Sequence, residues 1–228
     1  MTIKTLKTGS TGNCYILTSD NGHHLILDCG IPVPDIKKGL DFDIEYVTAV
    51  IVTHGHNDHV LSAEKLKQMG MIVWQPYLAN RNRMRLEIGE FEIECFDVPH
   101  GVECRAFLIR VDGTTILYAT DYEYIPYNLS NLNINVALIE LNYQSDRITE
   151  MDKHRVHTVT GHAEEKTVIE FLKTIKGSLR TVILCHMSKS GALDRDLAMK
   201  HIREVIPEYI NVQWAKANEV VNINEIPF

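Results

Sequence analysis

In Val47-Thr48-Ala49-Val50-Ile51-Val52-Thr53-His54-Gly55-His56-Asn57-Asp58-His59 an apolar, β-branched run gives way in one step to a cluster of metal-competent side chains. A run with no polar alternation has no face left for water, so Val47 to Thr53 is predicted as a strand buried on both sides. It delivers His54 and His56 at its end. Imidazoles at i and i+2 leaving a strand point the same way, while Asp58 and His59 on the following turn swing toward a neighbouring point. One strand end can therefore seed two adjacent cation positions. A polar, His-rich surface loop is the competing reading, and it gives no reason for ligand chemistry at this spacing.

Outward from this stretch, strands are predicted at Ile3 to Lys7, Asn13 to Thr18 and His23 to Cys29, the last two joined by an Asn21-Gly22 hairpin turn. Val60, Ala63, Leu66 and Met69 mark one face of a short helix stopped at Gly70. Further strands are predicted near Met71 to Trp74, Phe91 to Asp97, Glu103 to Val111, Thr114 to Ala119, Val136 to Leu141 and Thr181 to Cys185. Helices are predicted over Glu164 to Ile175 and Arg195 to Val205. Strands interleaved with helices, several with no wet face, imply an α/β protein: an αββα sandwich of two mixed β-sheets flanked by helices. No linker, repeat or low-complexity tract divides the chain, so residues 1–228 are expected to form a single domain.

Composition narrows the function classes. The chain has 228 residues, 45% hydrophobic and 23% charged, enough to bury a real core. Its apolar runs are strand-length and far below the roughly 18 residues of a membrane span. The start, Met1-Thr2-Ile3-Lys4, lacks the features of a secretory signal, and a cytoplasmic protein is expected. Five scattered cysteines with no C-x-x-C pair argue against a disulfide framework or a cysteine-zinc knuckle. A formal charge of -7 disfavours a broad electrostatic grip on DNA or RNA, although two zinc ions would make a pocket locally positive.

The H-x-H-x-D-H pattern after a buried strand resembles the signature of the metallo-β-lactamase superfamily. That resemblance implies further ligands at the ends of later strands, and His100 in Val98-Pro99-His100-Gly101, Asp121 in Ala119-Thr120-Asp121-Tyr122 and His186 in Leu184-Cys185-His186-Met187 stand in the expected order. On the superfamily pattern His54, His56 and His100 hold one zinc, Asp58, His59 and His186 hold the other, and Asp121 bridges. Asp28, after Leu25-Ile26-Leu27, matches an early aspartate expected to orient a ligand histidine, or else is a turn residue before Gly30. Zinc is implied rather than iron, because His56 stands where the diiron branch has glutamate; manganese is the other metal considered. Cys29 and Cys185 lie beside these residues, but Asp121 already fills the place where some lactamases use cysteine.

Glu140 in Leu138-Ile139-Glu140-Leu141-Asn142 and His162 in Thr160-Gly161-His162-Ala163 are similar to the Glu-His pair of the phosphodiesterase branches, including tRNase Z, YycJ-type proteins and phage cyclic nucleotide phosphodiesterases. An alkoxide leaving group needs a proton, and a histidine near neutral pKa can supply one. The competing reading is that His162 only begins the helix that follows. The resemblance implies a di-zinc phosphodiesterase in which a metal-bridging hydroxide attacks, with Asp58, Glu140 and His162 in catalysis and His162 and Ser188 against the substrate. Without a clamp-sized insertion, a small or cyclic nucleotide is the expected substrate, with DNA exonuclease activity beside it. A thioester or lactone hydrolase and a binding-only fold member are the readings outside that class.

Thr8-Gly9-Ser10-Thr11-Gly12-Asn13-Cys14 resembles a YycJ-type opening that sets a Gly-rich turn near the site, though a hairpin turn explains the same glycines. Tyr122, Tyr124 and Tyr143 follow motif residues and could stack on a base or simply pack. His23, His24, His154, His157 and His201 are assigned solvated or packing roles, His154 and His157 also being candidates for a pocket rim. A homodimer is expected by analogy with related phosphodiesterases.

Overall fold

The computed structural model describes residues 1–148, 160–187 and 192–223; Ser188, His154 and His157 lie outside them. Its strands are β1 (Thr2–Lys7), β2 (Cys14–Thr18), β3 (His24–Leu27), β4 (Val47–Ile51), β5 (Val73–Trp74), β6 (Arg83–Ile88), β7 (Phe91–Val98), β8 (Cys104–Val111), β9 (Thr114–Ala119), β10 (Val136–Glu140), β11 (Thr181–Cys185), β12 (Asn211–Trp214) and β13 (Val220–Asn222). They form two sheets, in the orders β13-β1-β2-β3-β4-β5 and β12-β11-β10-β9-β8-β7-β6. Both are mixed. β3, β4 and β5 run parallel and β1, β2 and β13 antiparallel, while β9 to β12 run parallel and β6 to β9 antiparallel.

The helices are α1 (Val33–Gly39), α2 (Asn57–Val60), α3 (Ala63–Gln68), α4 (Glu165–Ile175) and α5 (Arg195–Val205). Three apolar clusters define four layers. Leu17, Leu27, Ile51, Phe107, Tyr118, Leu138 and Ile183 fill the space between the sheets. Ile36, Ala63 and Leu66 seal the outer face of the first sheet under α1 and α3. Val168, Leu172 and Ile202 seal the second sheet under α4 and α5. This is the predicted αββα sandwich, and it explains why β4, β10 and β11 are apolar on both faces: each is covered by the other sheet and by helices.

The elements not foreseen are α1, β6, β12 and β13. α1 starts behind Pro32 and carries Pro34, and β6 alternates exposed and half-buried residues at a sheet edge. Such elements carry little apolar signal. Among the described residues no helix is long and apolar enough to cross a membrane.

The topology sets up one functional rim. Parallel pairing of β3 with β4, and of β9, β10 and β11, aligns their C-terminal ends; two antiparallel steps bring β7 into the same sense as β9. The residues that follow turn sharply. Asp28, Asp121 and His186 adopt left-handed backbone, with φ of 56°, 56° and 49°. Non-glycine residues rarely do so, and these cluster where polar side chains are turned into the rim.

Candidate metal centre

Every ligand-type residue named from the sequence converges at this rim. Nitrogens of His54, His56 and His100 and an oxygen of Asp121 lie within 4.8 Å of one another, as do atoms of Asp58, His59, Asp121 and His186. Asp121 is common to both groups. Its Oδ2 lies 3.8 Å from His54 Nε2 and its Oδ1 3.4 Å from His59 Nε2, so the carboxylate reaches one group with each oxygen. In the first group His56 Nδ1 stands 2.9 Å from His54 Nε2 and 3.4 Å from His100 Nε2. In the second, Asp58 Oδ2 is 3.5 Å from His59 Nε2 and 3.7 Å from His186 Nε2.

The surrounding contacts decide which ring nitrogen faces inward. His59 Nδ1 donates to Asp28 Oδ2 at 2.7 Å and His100 Nδ1 donates to the Gly161 carbonyl at 2.6 Å, leaving both Nε2 atoms toward the cluster. Asp28 is fully buried and also accepts from the Thr53 amide at 2.8 Å, the Thr53 hydroxyl at 3.0 Å and the Tyr118 hydroxyl at 2.5 Å. It is therefore more than a turn residue. Asp28→Asn would set an amide N–H against these donors; we expect cation affinity to fall about 10- to 100-fold, read by competitive chelator titration.

Glu140 is the other organiser. Its Oε1 accepts from His162 Nδ1 at 2.7 Å, His186 Nδ1 at 2.8 Å and Asn142 Nδ2 at 2.9 Å. Its Oε2 takes the Tyr122 amide at 3.1 Å and the Ala163 amide at 3.3 Å. One fully buried carboxylate thus ties together the loops carrying Asp121, His162 and His186. The His162 and His186 rings stack with centroids 5.3 Å apart, and both present Nε2 away from Glu140.

Charge follows from crowding. Burial would raise Asp121, but His186 and His59 hold its carboxyl well below the usual carboxylate range. Burial would likewise raise Asp58, and the neighbouring His186 and His59 imidazoles hold it low. Burial pulls His186 down, yet Asp121, Asp58 and Glu140 together push its pKa up to about 10. His54 goes the other way: burial, then the neighbouring His59, keep it well below its ordinary value. Burial also lowers His162, but Glu140 outweighs it and raises the pKa.

These residues fit divalent cations. Among the described residues His186 Nε2 is buried without a hydrogen-bond partner, at a cost of about 1–3 kcal/mol if nothing binds it. A mixed imidazole and carboxylate donor set of this kind suits zinc or manganese. The arrangement indicates divalent metal use. Cys29 and Cys185 stay out of both groups; burial pushes the Cys29 thiol up to about 12 and Cys185 well above its ordinary value.

The Gly-rich turn proves to be a buttress. The Asn13 amide hydrogen-bonds the Asp58 carbonyl at 2.7 Å, Asn13 Nδ2 lies 2.9 Å from His59 Nε2, and the Thr8 hydroxyl accepts the His186 amide at 2.9 Å. Asn13 was legible only as part of the turn, and Thr8, Thr53, Tyr118 and Asn142 gave no local signal. Tyr122 and Tyr143 are buried, whereas Tyr124 is 49% exposed, so only the last is available to a ligand. His23 pairs with Glu90 and His201 with Glu165, away from the rim.

Two mixed sheets with this rim of histidines and aspartates define the metallo-β-lactamase fold. The family model described as the metallo-beta-lactamase superfamily matches residues 8–81, which contain the H-x-H-x-D-H motif. The chain is 23% identical over 219 residues to the exodeoxyribonuclease WalJ of Streptococcus pneumoniae, covering 82% of this chain and 81% of that one. A shorter match, 35% identity over 54 residues, links it to the Anti-Pycsar protein Apyc1 of Bacillus phage vB_BsuM-Goe3, across 24% of this chain and 21% of the phage protein. The metallo-beta-lactamase fold protein YhfI of Bacillus subtilis superposes with a TM-score of 0.72 at 20% identity, covering 96% of this chain and 98% of that one.

Proposed function

We propose that the chain is a metal-dependent phosphodiesterase acting on a small or cyclic nucleotide, with two zinc ions, or manganese, held by His54, His56, Asp58, His59, His100, Asp121 and His186. The observation that carries this reading is the Glu140-His162 pair at 2.7 Å, stacked against the metal-ligand cluster. Bound cations would lower the pKa of a water and offset phosphate charge. The protein's own groups do the rest. Asp58, whose side chain is 23% exposed, orients the attacking water from the open side of the cluster. His162 donates its Nε2 proton to the leaving oxygen, and Glu140 holds the ring and favours its charged form. Ser188 is proposed as a further substrate contact.

The second reading is a DNA exonuclease, favoured by a match to WalJ that spans most of both chains. Thioester hydrolysis fits less well, since a thiolate leaves without needing a buried Glu-His proton donor. The test is turnover of bis-p-nitrophenyl phosphate against a thioester and a lactone, then cyclic nucleotides against single- and double-stranded DNA. His162→Ala should leave metal content intact and lower phosphodiesterase turnover about 10²- to 10⁴-fold. Loss of metal in parallel would make His162 a ligand instead. The proposal includes a homodimer, which light scattering on the metal-loaded protein checks.

A further inference from the structure

Beside the cluster lies a cavity of about 530 Å³, with His100 in its wall and Val102, Tyr124 and Pro126 around it. That volume is in the range of small-molecule sites. Tyr124 is 49% and Val102 42% exposed, so this side of the rim keeps apolar surface in water where the rest of the site buries its own. The cavity's polar lining is unusual. Arg105, 2% exposed, places Nη1 2.8 Å from Asp97 Oδ1 and 3.0 Å from Glu103 Oε2. One guanidinium between two carboxylates leaves a net negative charge. The carboxylates still reach solvent, at 30% for Asp97 and 74% for Glu103.

A ligand suited to this lining has a flat π face for Tyr124 and N–H donors for the carboxylates, and carries no second phosphate, which the acidic wall would repel. A nucleobase with an exocyclic amino group has all three properties. We propose that this cavity is the base subsite of the phosphodiesterase. It seats an amino-bearing base against Tyr124 while the single phosphodiester lies at the cluster, and it selects small nucleotides over a polynucleotide running past Glu103. The inference rests on the phosphodiesterase reading, and its test separates the two.

The metal-loaded wild type and Tyr124→Ala would be compared on 1-O-methylribose 3′,5′-cyclic phosphate, which has neither a base nor any other flat ring, on 3′,5′-cyclic AMP and cyclic CMP, and on cyclic UMP. We expect Tyr124→Ala to raise KM for cyclic AMP and cyclic CMP about tenfold or more while leaving turnover of the base-free cyclic phosphate within about twofold. Glu103→Gln should narrow the preference for amino-bearing bases over cyclic UMP. Binding of the monophosphates AMP and CMP, followed by titration, should weaken in Tyr124→Ala to the same degree. If Tyr124→Ala changes every substrate equally or changes none, the base subsite is wrong while the phosphodiesterase reading stands. Absence of any phosphodiesterase activity in the metal-loaded wild type would overturn both.

Discussion

If the centre holds two cations as proposed, replacing Asp121 with asparagine is expected to empty both positions at once. No other described side chain belongs to both ligand groups; Oδ2 faces His54 at 3.8 Å and Oδ1 faces His59 at 3.4 Å. An amide keeps the shape but removes the charge that would offset the proposed pair of divalent cations in a buried site, and its NH2 cannot act as a ligand. His56→Ala or Asp58→Ala, by contrast, should weaken mainly one position. The measurement is metal content by elemental analysis after dialysis, with turnover of bis-p-nitrophenyl phosphate in parallel. Asp121→Asn should retain well under one equivalent and lose at least about 10³-fold in turnover, on the scale of losing a metal-centred catalyst. Retention of two tightly held ions would show that the carboxylate only lines the site.

Gly30→Ala is expected to be the most damaging change outside the ligands. A Cβ at this position would stand 1.6 Å from the Asp58 carbonyl oxygen and 2.6 Å from the His59 nitrogen, both backbone atoms with nowhere to go. Gly30 also hydrogen-bonds the Asn13 carbonyl at 2.9 Å, so it is pinned where the Gly-rich turn, the strand end after β3 and the metal-binding turn meet. Relief requires moving Asp58 and His59 away from Asp121. Overpacking against rigid backbone belongs to the severe class of substitutions, above about 4 kcal/mol, which for a chain of this size lowers Tm by about 10 °C or more. Gly177→Ala is the control: nothing lies within 4 Å of its Cβ and it should shift Tm little. Thermal melts of both variants, with and without added zinc, decide the matter. A Gly30→Ala protein that melts like the wild type would show that the two turns are not packed as described.

Much of the fold was legible because its interior strands have no wet face. The apolar runs at Val47 to Thr53, Val136 to Leu141 and Thr181 to Cys185 correspond to β4, β10 and β11, and each is followed within a few residues by a polar side chain of the rim. The predicted hairpin is also present, with Thr18 paired to His24 around Gly22 at φ 86°. Edge elements were opaque for the opposite reason. β6 is half-exposed with charged residues on its open face and β13 is only three residues long, so pairing with a neighbour rather than local pattern makes them regular, while α1 is short and proline-bearing.

By itself the sequence singled out His54, His56, Asp58 and His59, because ligand chemistry and its position after a buried strand are local properties, while His100, Asp121 and His186 were picked out by the resemblance to the superfamily. It also determined the layered class, since an unbroken apolar strand must be covered on both faces. Only the tertiary structure decided that Asp121 stands between the two groups, that one oxygen of Glu140 serves both His162 and His186, and that Tyr124 alone of three tyrosines faces a cavity. Those relations join residues tens of positions apart, and distance along the chain says nothing about them. They arise when parallel strand ends are brought to one edge and left-handed turns at Asp28, Asp121 and His186 rotate their side chains inward.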